Sequence, residues 1–236
     1  MARLVRLVMR IGLPPTLGLE SLVAYACYWI DTDQAGANSG GMTRPYFFGY
    51  GSLVNRKTHT FTDMSPATLT GWRRVWRQTT YAPRPILTIE PCAGVTVSGV
   101  IAHVPNDDWS TLDAREHAYD RVALGSGLSH ASTAPSMVAT YSIPTEKFPQ
   151  PTKPRPIHLS YLDVVIQGYL TEFDEATAMQ FFATTVGWDA PIKDDRHNPA
   201  YPRHQSLTKG ERAFVDKALA ETRRREALSD ADGTSP

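Results

Sequence analysis

One glutamate stands out because its charge does not suit its place in the sequence pattern. A helix capped by Asn106 or Asp107 and running to about Ala118 places Glu116 about 20° from Trp109, in the middle of a narrow apolar stripe. An ionised carboxylate there loses hydration, which raises its pKa toward neutrality and suits it to proton transfer. Glu116 is therefore the first candidate for general acid–base chemistry.

Two structural interpretations of Glu116 remain open beside the catalytic one. The carboxylate can form a buried ion pair, with Arg115 or Arg121 as its partner. Alternatively, the helix can end earlier and leave Glu116 exposed. The sequence alone does not choose among the three.

The second segment that could do chemistry is a glycine-containing loop behind an aromatic run. Residues 46–50 are typical of a buried strand that ends in a glycine turn, and Gly49-Tyr-Gly-Ser-Leu53 predicts a tight loop with exposed backbone amides. The loop is not the G-x-S-x-G elbow of hydrolases, which makes Ser52 a poor nucleophile candidate. Its amides can instead cradle an anion, and a purely structural turn is the alternative.

Metal and thiol chemistry are not indicated. The 7 histidines show no HExxH or HxH spacing, and Cys27 and Cys92 match neither a disulfide framework nor a CxxC motif. We therefore expect no metal and no organic cofactor. The sparse cysteines fit a reducing cytoplasm, which is the predicted location.

Composition and charge exclude several classes of protein. The 236 residues are 42% hydrophobic and 20% charged, values typical of a globular protein. Lys+Arg 24 balance Asp+Glu 24, so no global field favours nucleic acid as a partner. The apolar run over residues 17–30 is short and interrupted by Glu20, so no stable membrane span is expected. The sequence does not indicate an oligomeric state.

The two segments must be positioned by the rest of the chain, in which predicted strands come first and predicted helices come last. This order predicts an α+β fold with a strongly bent sheet or barrel. Ser160 and Asp174 are predicted to cap two helices, and Thr208 begins a capping box before a final amphipathic helix to about Leu228. The five prolines between Pro144 and Pro156 predict a stiff crossing segment. Strands are predicted at residues 46–50, 67–78, 96–104, 121–124 and 137–143.

The chain divides into three parts by composition. Residues 1–41 end in a linker-like Gln-Ala-Gly-Ala-Asn-Ser-Gly-Gly stretch and form an extension, residues 42–228 form the domain, and residues 229–236 form a disordered tail. Three interpretations of the extension stay open: a disordered or non-native addition, a targeting peptide, or a folded part of the domain.

Taken together, the two segments resemble the γ-glutamylcyclotransferase-like family. Tyr46-Phe-Phe-Gly-Tyr-Gly-Ser-Leu53 matches the YGS[LN] substrate loop of that family, and Leu112-Asp-Ala-Arg-Glu-His-Ala-Tyr-Asp-Arg121 resembles its L-D-x-x-E segment. The likeness extends loosely from Met42 to Tyr169. His117 stands where many members have glycine, and residues 173–228 do not map onto a compact member.

The resemblance implies a bent mixed sheet and an enzyme that cyclises a γ-glutamyl group to 5-oxoproline. The α-amine attacks the γ-carbonyl of the same molecule, and the attached amino acid, peptide or amine leaves. Because the attack is intramolecular, folding the substrate is much of the task. No metal or cofactor is required. The alternative is a non-catalytic protein of the same fold that binds a small metabolite.

The resemblance also implies roles for individual residues. Glu116 is the catalytic acid and base, and Tyr161 lines the pocket or packs in the core. Tyr119 and Arg121 support the site, with Arg121 expected to pair a carboxylate. The substrate-binding loop is formed by Tyr50, Gly51, Ser52 and Leu53.

One polar segment falls outside the resemblance. Residues 194–203 are rich in charge and contain Pro199 and Pro202, which argues against a helix or a central strand. A surface loop and a lid over the cyclisation site are both open interpretations.

Overall fold

The computed structural model describes residues 44–132 and 137–231, with side chains as far as residue 228. The predicted extension over residues 1–41 lies outside the described residues, as do residues 232–236 of the predicted tail. The limits of the domain therefore stay a prediction. In the described part of the chain, no helix has both the length and the apolar character needed to cross a membrane.

A curled sheet is the centre of the described structure and confirms the predicted α+β class. Within residues 44–132 and 137–231 it has seven strands, in the order β4-β6-β1-β3-β2-β5 with β8 paired to β2, while β7 and β9 pair separately. The strands are β1 (Pro45–Gly49), β2 (Ser65–Arg77), β3 (Ile86–His103), β4 (Asp120–Leu124), β5 (Leu128–His130), β6 (Met137–Ser142), β7 (Ile157–His158), β8 (Thr185–Val186) and β9 (Ile192–Lys193).

Strand β1 is the buried middle of this sheet, which explains its aromatic sequence. It runs parallel to β6 and antiparallel to β3, and all five of its residues are buried. Large apolar side chains on both faces of a strand are stable only in such a central position. The predicted strand is confirmed, and the loop that follows it is thereby fixed to the core.

Strands β2 and β3 form a long hairpin that is only partly predicted. The prediction starts the second strand at Thr96, whereas β3 begins at Ile86 and continues through Pro91 and Gly94. Those two residues disfavour strands, but pairing with β2 overrides their local preference. The longer hairpin leaves residues 78–85 as the connection at one end of the sheet.

The helix predicted to run to about Ala118 is wrong in extent. The structure has a 3₁₀ turn at Pro105–Asp107 and then helix α1 (Ser110–Arg115), with Glu116 as the C-terminal cap residue. The chain must enter β4 at Asp120, where it pairs with β6, and this tertiary pairing ends the helix early.

Helix α2 (Leu159–Glu172) is almost wholly buried and packs directly on the loop after β1. A Cβ added at Gly168 would lie 2.7 Å from the backbone nitrogen of Asn55, so only glycine allows this approach. The side-chain amide of Asn55 donates to Val164 O at 2.9 Å. The predicted cap Ser160 is wrong, because the cap residue is His158 and Ser160 lies inside the first turn.

The last two helices begin as predicted. The carboxylate of Asp174 accepts from Thr177 N before α3 (Glu175–Thr184). Thr208 and Glu211 exchange hydrogen bonds of 3.2 and 2.6 Å, a complete capping box for α4 (Lys209–Ala231). Helix α4 continues to Ala231 instead of ending near Leu228. Residues 144–156 contain neither helix nor strand, as expected.

Candidate active site

The loop after β1 is built close against helix α2. A Cβ added at Gly51 would lie 2.9 Å from the Tyr161 hydroxyl and 3.3 Å from a methyl of Leu87. A 3₁₀ turn over Ser52–Val54 follows, and the Tyr50 hydroxyl donates to Tyr141 O at 2.6 Å. The predicted tight loop is therefore present, and a side chain at Gly51 would press against the Tyr161 hydroxyl.

A buried arginine fixes the backbone of this loop. Arg74 is 1% exposed, and its Nε donates to Tyr50 O at 3.2 Å. The Tyr169 hydroxyl donates to the same carbonyl at 2.9 Å. The Arg74 guanidinium also lies over the Phe181 ring, 4.9 Å from its centroid. Because carbonyls and ring faces surround this cation, the loop carbonyl has a defined position.

The sequence prediction missed Arg74. Strand alternation carried a signal, since Arg74 and Trp76 both point to the buried face of β2. A charged residue on such a face is unusual enough to merit attention.

Glu116 is largely shielded from solvent although its helix ends one residue earlier. Its side chain is 14% exposed, and its Oε1 accepts from Arg115 Nε at 3.0 Å. Burial raises the pKa of Glu116, while the charges of Arg115 and Arg203 act against that rise. The ion-pair interpretation with Arg115 as partner is thus confirmed, and the exposed interpretation is wrong.

Arg115 connects the glutamate to the loop. Besides Glu116, this arginine donates to Ser52 Oγ at 3.1 Å and to Thr58 O at 2.9 Å. Its side chain is only 8% exposed. One guanidinium therefore sets the distance between the carboxylate and the loop hydroxyl, a role that the sequence prediction did not assign.

Two adjoining cavities bring the predicted residues together. Both are lined by Ser52, Leu87, Glu116, Tyr119 and Tyr161. The inner cavity also reaches Tyr50, Gly51 and Leu53, and the outer one has a volume of about 440 Å³. The loop and the carboxylate thus face a common space, large enough on its outer side for a small molecule.

Arg121 is the one predicted site residue that lines neither cavity. It pairs with Asp113 at 3.2 Å and lies over the Trp109 ring, 4.5 Å from its centroid. The expectation that Arg121 pairs a carboxylate is confirmed. Tyr119 does line the cavity, and its hydroxyl donates to Leu87 O at 2.9 Å.

Residues 194–203 are anchored to the core and are not a plain surface loop. Asp195 is 3% exposed and accepts from Ser160 N and Oγ at 2.8 and 2.7 Å, and from Ala200 N at 3.0 Å. Burial alone would raise the pKa of Asp195, but these hydrogen bonds lower it. The buried Tyr201 meets Tyr161 edge-on at 5.0 Å.

The same segment contributes Tyr201, Pro202 and Arg203 to the outer cavity wall. The segment lies beside the loop and the glutamate, which is the location that the lid interpretation requires. Movement of the segment stays a prediction.

The described residues include no cluster of three or more His, Cys, Asp or Glu side chains arranged to hold a metal ion. What the site offers chemically is a buried carboxylate with a raised pKa, an adjacent arginine, and a glycine loop with a hydroxyl. That set can move a proton next to an anchored polar substrate.

Comparison with solved structures finds distant neighbours. One is named γ-glutamyl cyclotransferase, with 14% identity, a TM-score of 0.46, and coverage of 74% of this chain and 99% of that chain. An uncharacterized protein from Homo sapiens has 14% identity, a TM-score of 0.45, and coverage of 72% and 97%. A yeast γ-glutamyl cyclotransferase specific to glutathione has 13% identity, a TM-score of 0.37, and coverage of 76% and 97%.

The sequence comparisons are more direct. No curated protein matches this chain significantly. Residues 47–160 match the family model described as γ-glutamyl cyclotransferase, AIG2-like, and this range includes both the loop and Glu116. The predicted resemblance to the γ-glutamyl cyclotransferase, AIG2-like family is therefore confirmed over residues 47–160.

Proposed function

We propose that this protein cyclises a γ-glutamyl group to 5-oxoproline and releases the attached amino acid, peptide or amine. One observation carries the proposal: Glu116 has a raised pKa and lines the same cavity as the Tyr50–Leu53 loop. The family match over residues 47–160 supports it.

The reaction needs a base and then an acid at one place. The α-amine attacks the γ-carbonyl, the new C–N bond closes the five-membered ring, and the amine loses a proton to Glu116. The bond to the leaving nitrogen then breaks, and Glu116 returns the proton to that nitrogen. A carboxylate whose pKa is raised by burial suits both steps better than an exposed one.

The loop has the task of folding the substrate. Its backbone amides and the Ser52 hydroxyl are proposed to hold the α-carboxylate and to orient the γ-carbonyl. An intramolecular reaction gains most from such restriction, because the two reacting atoms must be held close and aligned. Tyr119 and Tyr161 are proposed to shape the walls of this cavity. Two cysteines without disulfide spacing support a cytoplasmic location.

The test is release of 5-oxoproline from a panel of γ-glutamyl compounds, including glutathione. The native protein is expected to release it, and Glu116→Gln is expected to lower kcat by about 10²- to 10⁴-fold. Glu175→Gln is the matched control, because Glu175 is an exposed glutamate at the start of α3.

Two results would contradict the proposal. One is full activity in the Glu116→Gln variant with an unchanged melting temperature. The other is a ligand-induced rise in melting temperature with no 5-oxoproline from any compound, which would identify a metabolite-binding protein of this fold.

A further inference from the structure

The outer cavity has an unequal balance of charge. Its wall includes Arg84, Arg115 and Arg203, whereas Glu116 is its one acidic residue among those the structure describes. Arg115 is already engaged, since it bonds to Glu116, Ser52 and Thr58. Two cationic side chains therefore remain available to a ligand.

Neither Arg84 nor Arg203 forms an ion pair with a carboxylate of residues 44–132 and 137–228, so neither charge is neutralised by the protein there. Six other arginines of the described residues do form such pairs, at 2.5–3.2 Å. Those pairs are Arg44–Asp63, Arg56–Glu172, Arg73–Glu90, Arg77–Glu90, Arg121–Asp113 and Arg196–Asp163. The cavity wall thus presents two unpaired guanidinium groups, which attract an anion.

Both arginines are held on stiff segments. Arg84 stands between Pro83 and Pro85 in the connection of β2 and β3, and Arg203 follows Pro202 in the anchored segment 194–203. The connection between β2 and β3 is held in place by Gln78, whose side-chain amide exchanges hydrogen bonds of 3.0 and 2.9 Å with the backbone of Arg155. The two charges reach the cavity from separate loops with restricted freedom.

Neither arginine belongs to the inner cavity. Tyr50, Gly51 and Leu53 line that inner space, while Arg84 and Arg203 line only the outer one. If the γ-glutamyl group occupies the loop side, the group attached to its γ-carbonyl extends past Glu116 into the outer cavity. The arginines then meet the leaving group and not the glutamyl end.

We infer that the leaving group carries a carboxylate, as in an amino acid or a short peptide, and that Arg84 and Arg203 bind it. This inference rests on the proposed function and specifies its substrate class. A guanidinium binds a carboxylate with two donors in one plane, so a carboxylate is recognised better than an uncharged amide at the same place.

The experiment compares γ-glutamylalanine with γ-glutamylalaninamide, which differ only in the carboxylate of the leaving group. The native protein is expected to show a kcat/KM for γ-glutamylalanine about tenfold higher than for the amide. Arg84→Gln and Arg203→Gln are each expected to lower that ratio by about threefold to tenfold, and raised ionic strength is expected to lower it as well. Arg224→Gln, on the exposed side of α4, is the matched control and leaves the ratio unchanged.

Each other outcome has a definite meaning. Equal native rates for the two substrates, or an equal loss on both in the two variants, would overturn the inference, because the arginines would then serve the glutamyl end or the fold. No 5-oxoproline from either substrate or from the wider panel would overturn the proposed function itself, and the inference with it. A melting temperature for each variant identifies any loss of fold.

Discussion

The two segments that frame the cavity are held by buried charges of opposite sign. The loop after β1 is fixed by the cation Arg74, which donates to the Tyr50 carbonyl and lies against aromatic faces. The segment 194–203 is fixed by the anion Asp195, which accepts from two backbone N–H groups and one hydroxyl.

Neither of these two charges depends on a fully charged counter-ion. Arg74 has no carboxylate partner among the described residues, and the neighbour of Asp195 is His158 at 3.2 Å, whose pKa is lowered by burial. Dipoles of the backbone and of hydroxyls compensate both charges. Such anchors fix the geometry of the segment, because each hydrogen-bond donor or acceptor must lie at a defined position around the buried charge.

The largest expected effect comes from breaking the loop anchor. Arg74→Met removes the donor to Tyr50 O while keeping much of the volume, and it is expected to lower the free energy of unfolding by about 3 kcal/mol. Activity is expected to fall beyond the loss of folded protein, because the loop backbone loses its position. Urea unfolding and 5-oxoproline release measure the two effects. Arg73→Met, at a half-exposed neighbour, is the control; an equal loss there would remove the special role of Arg74.

Breaking the second anchor is expected to cost less. Asp195→Asn keeps one acceptor oxygen but loses the other, which accepts from Ser160 Oγ and Ala200 N, and about 2 kcal/mol of stability is expected to be lost. The neighbouring Asp194 is 61% exposed at its side chain, so Asp194→Asn is a closely matched control.

The effect of Asp195→Asn is expected to fall mainly on stability and on the outer cavity. In Asp195→Asn the ranking among γ-glutamyl substrates is expected to change more than the rate on the best one, since the segment lines the outer wall. A variant with native stability and native ranking would show that the anchor is unimportant.

A smaller effect is expected from steric pressure within the loop. Gly51→Ala places a methyl 2.9 Å from the Tyr161 hydroxyl, which is expected to cost about 1.5 kcal/mol. Tyr161→Phe removes that oxygen, so the double variant is expected to recover part of the loss. A double-mutant cycle on the free energy of unfolding measures the coupling. Purely additive losses would mean that Gly51 is needed for its backbone and not for its contact with Tyr161.

The smallest effect on stability and the clearest effect on pH dependence are expected at Arg115. Its charge lowers the pKa of Glu116, so Arg115→Gln lets that pKa rise further. The base must be ionised to accept a proton, and therefore the acidic limb of the kcat/KM profile is expected to move to higher pH. Stability is expected to fall by about 1 kcal/mol. An unmoved limb would show that Glu116 is not the titrating group.

Much of the fold followed from local patterns. The aromatic run of β1, the Asp174 cap and the capping box at Thr208 were all predictable, because each depends on residues close in sequence. The misjudged elements are those in which pairing between distant residues overrode local preference. Strand β3 continues through Pro91 because β2 pairs with it, and α1 stops at Arg115 because β4 must begin.

By itself, the sequence determined which residues could do the chemistry: the glycine loop and Glu116 are recognisable from type and spacing. Only the tertiary structure decided how they are held. Arg74, Arg115 and Asp195 lie far in sequence from at least one of the groups they bind, and their importance arises from burial beside unpaired backbone dipoles. Burial is set by how distant elements pack against each other, so no local pattern could assign these three residues their roles.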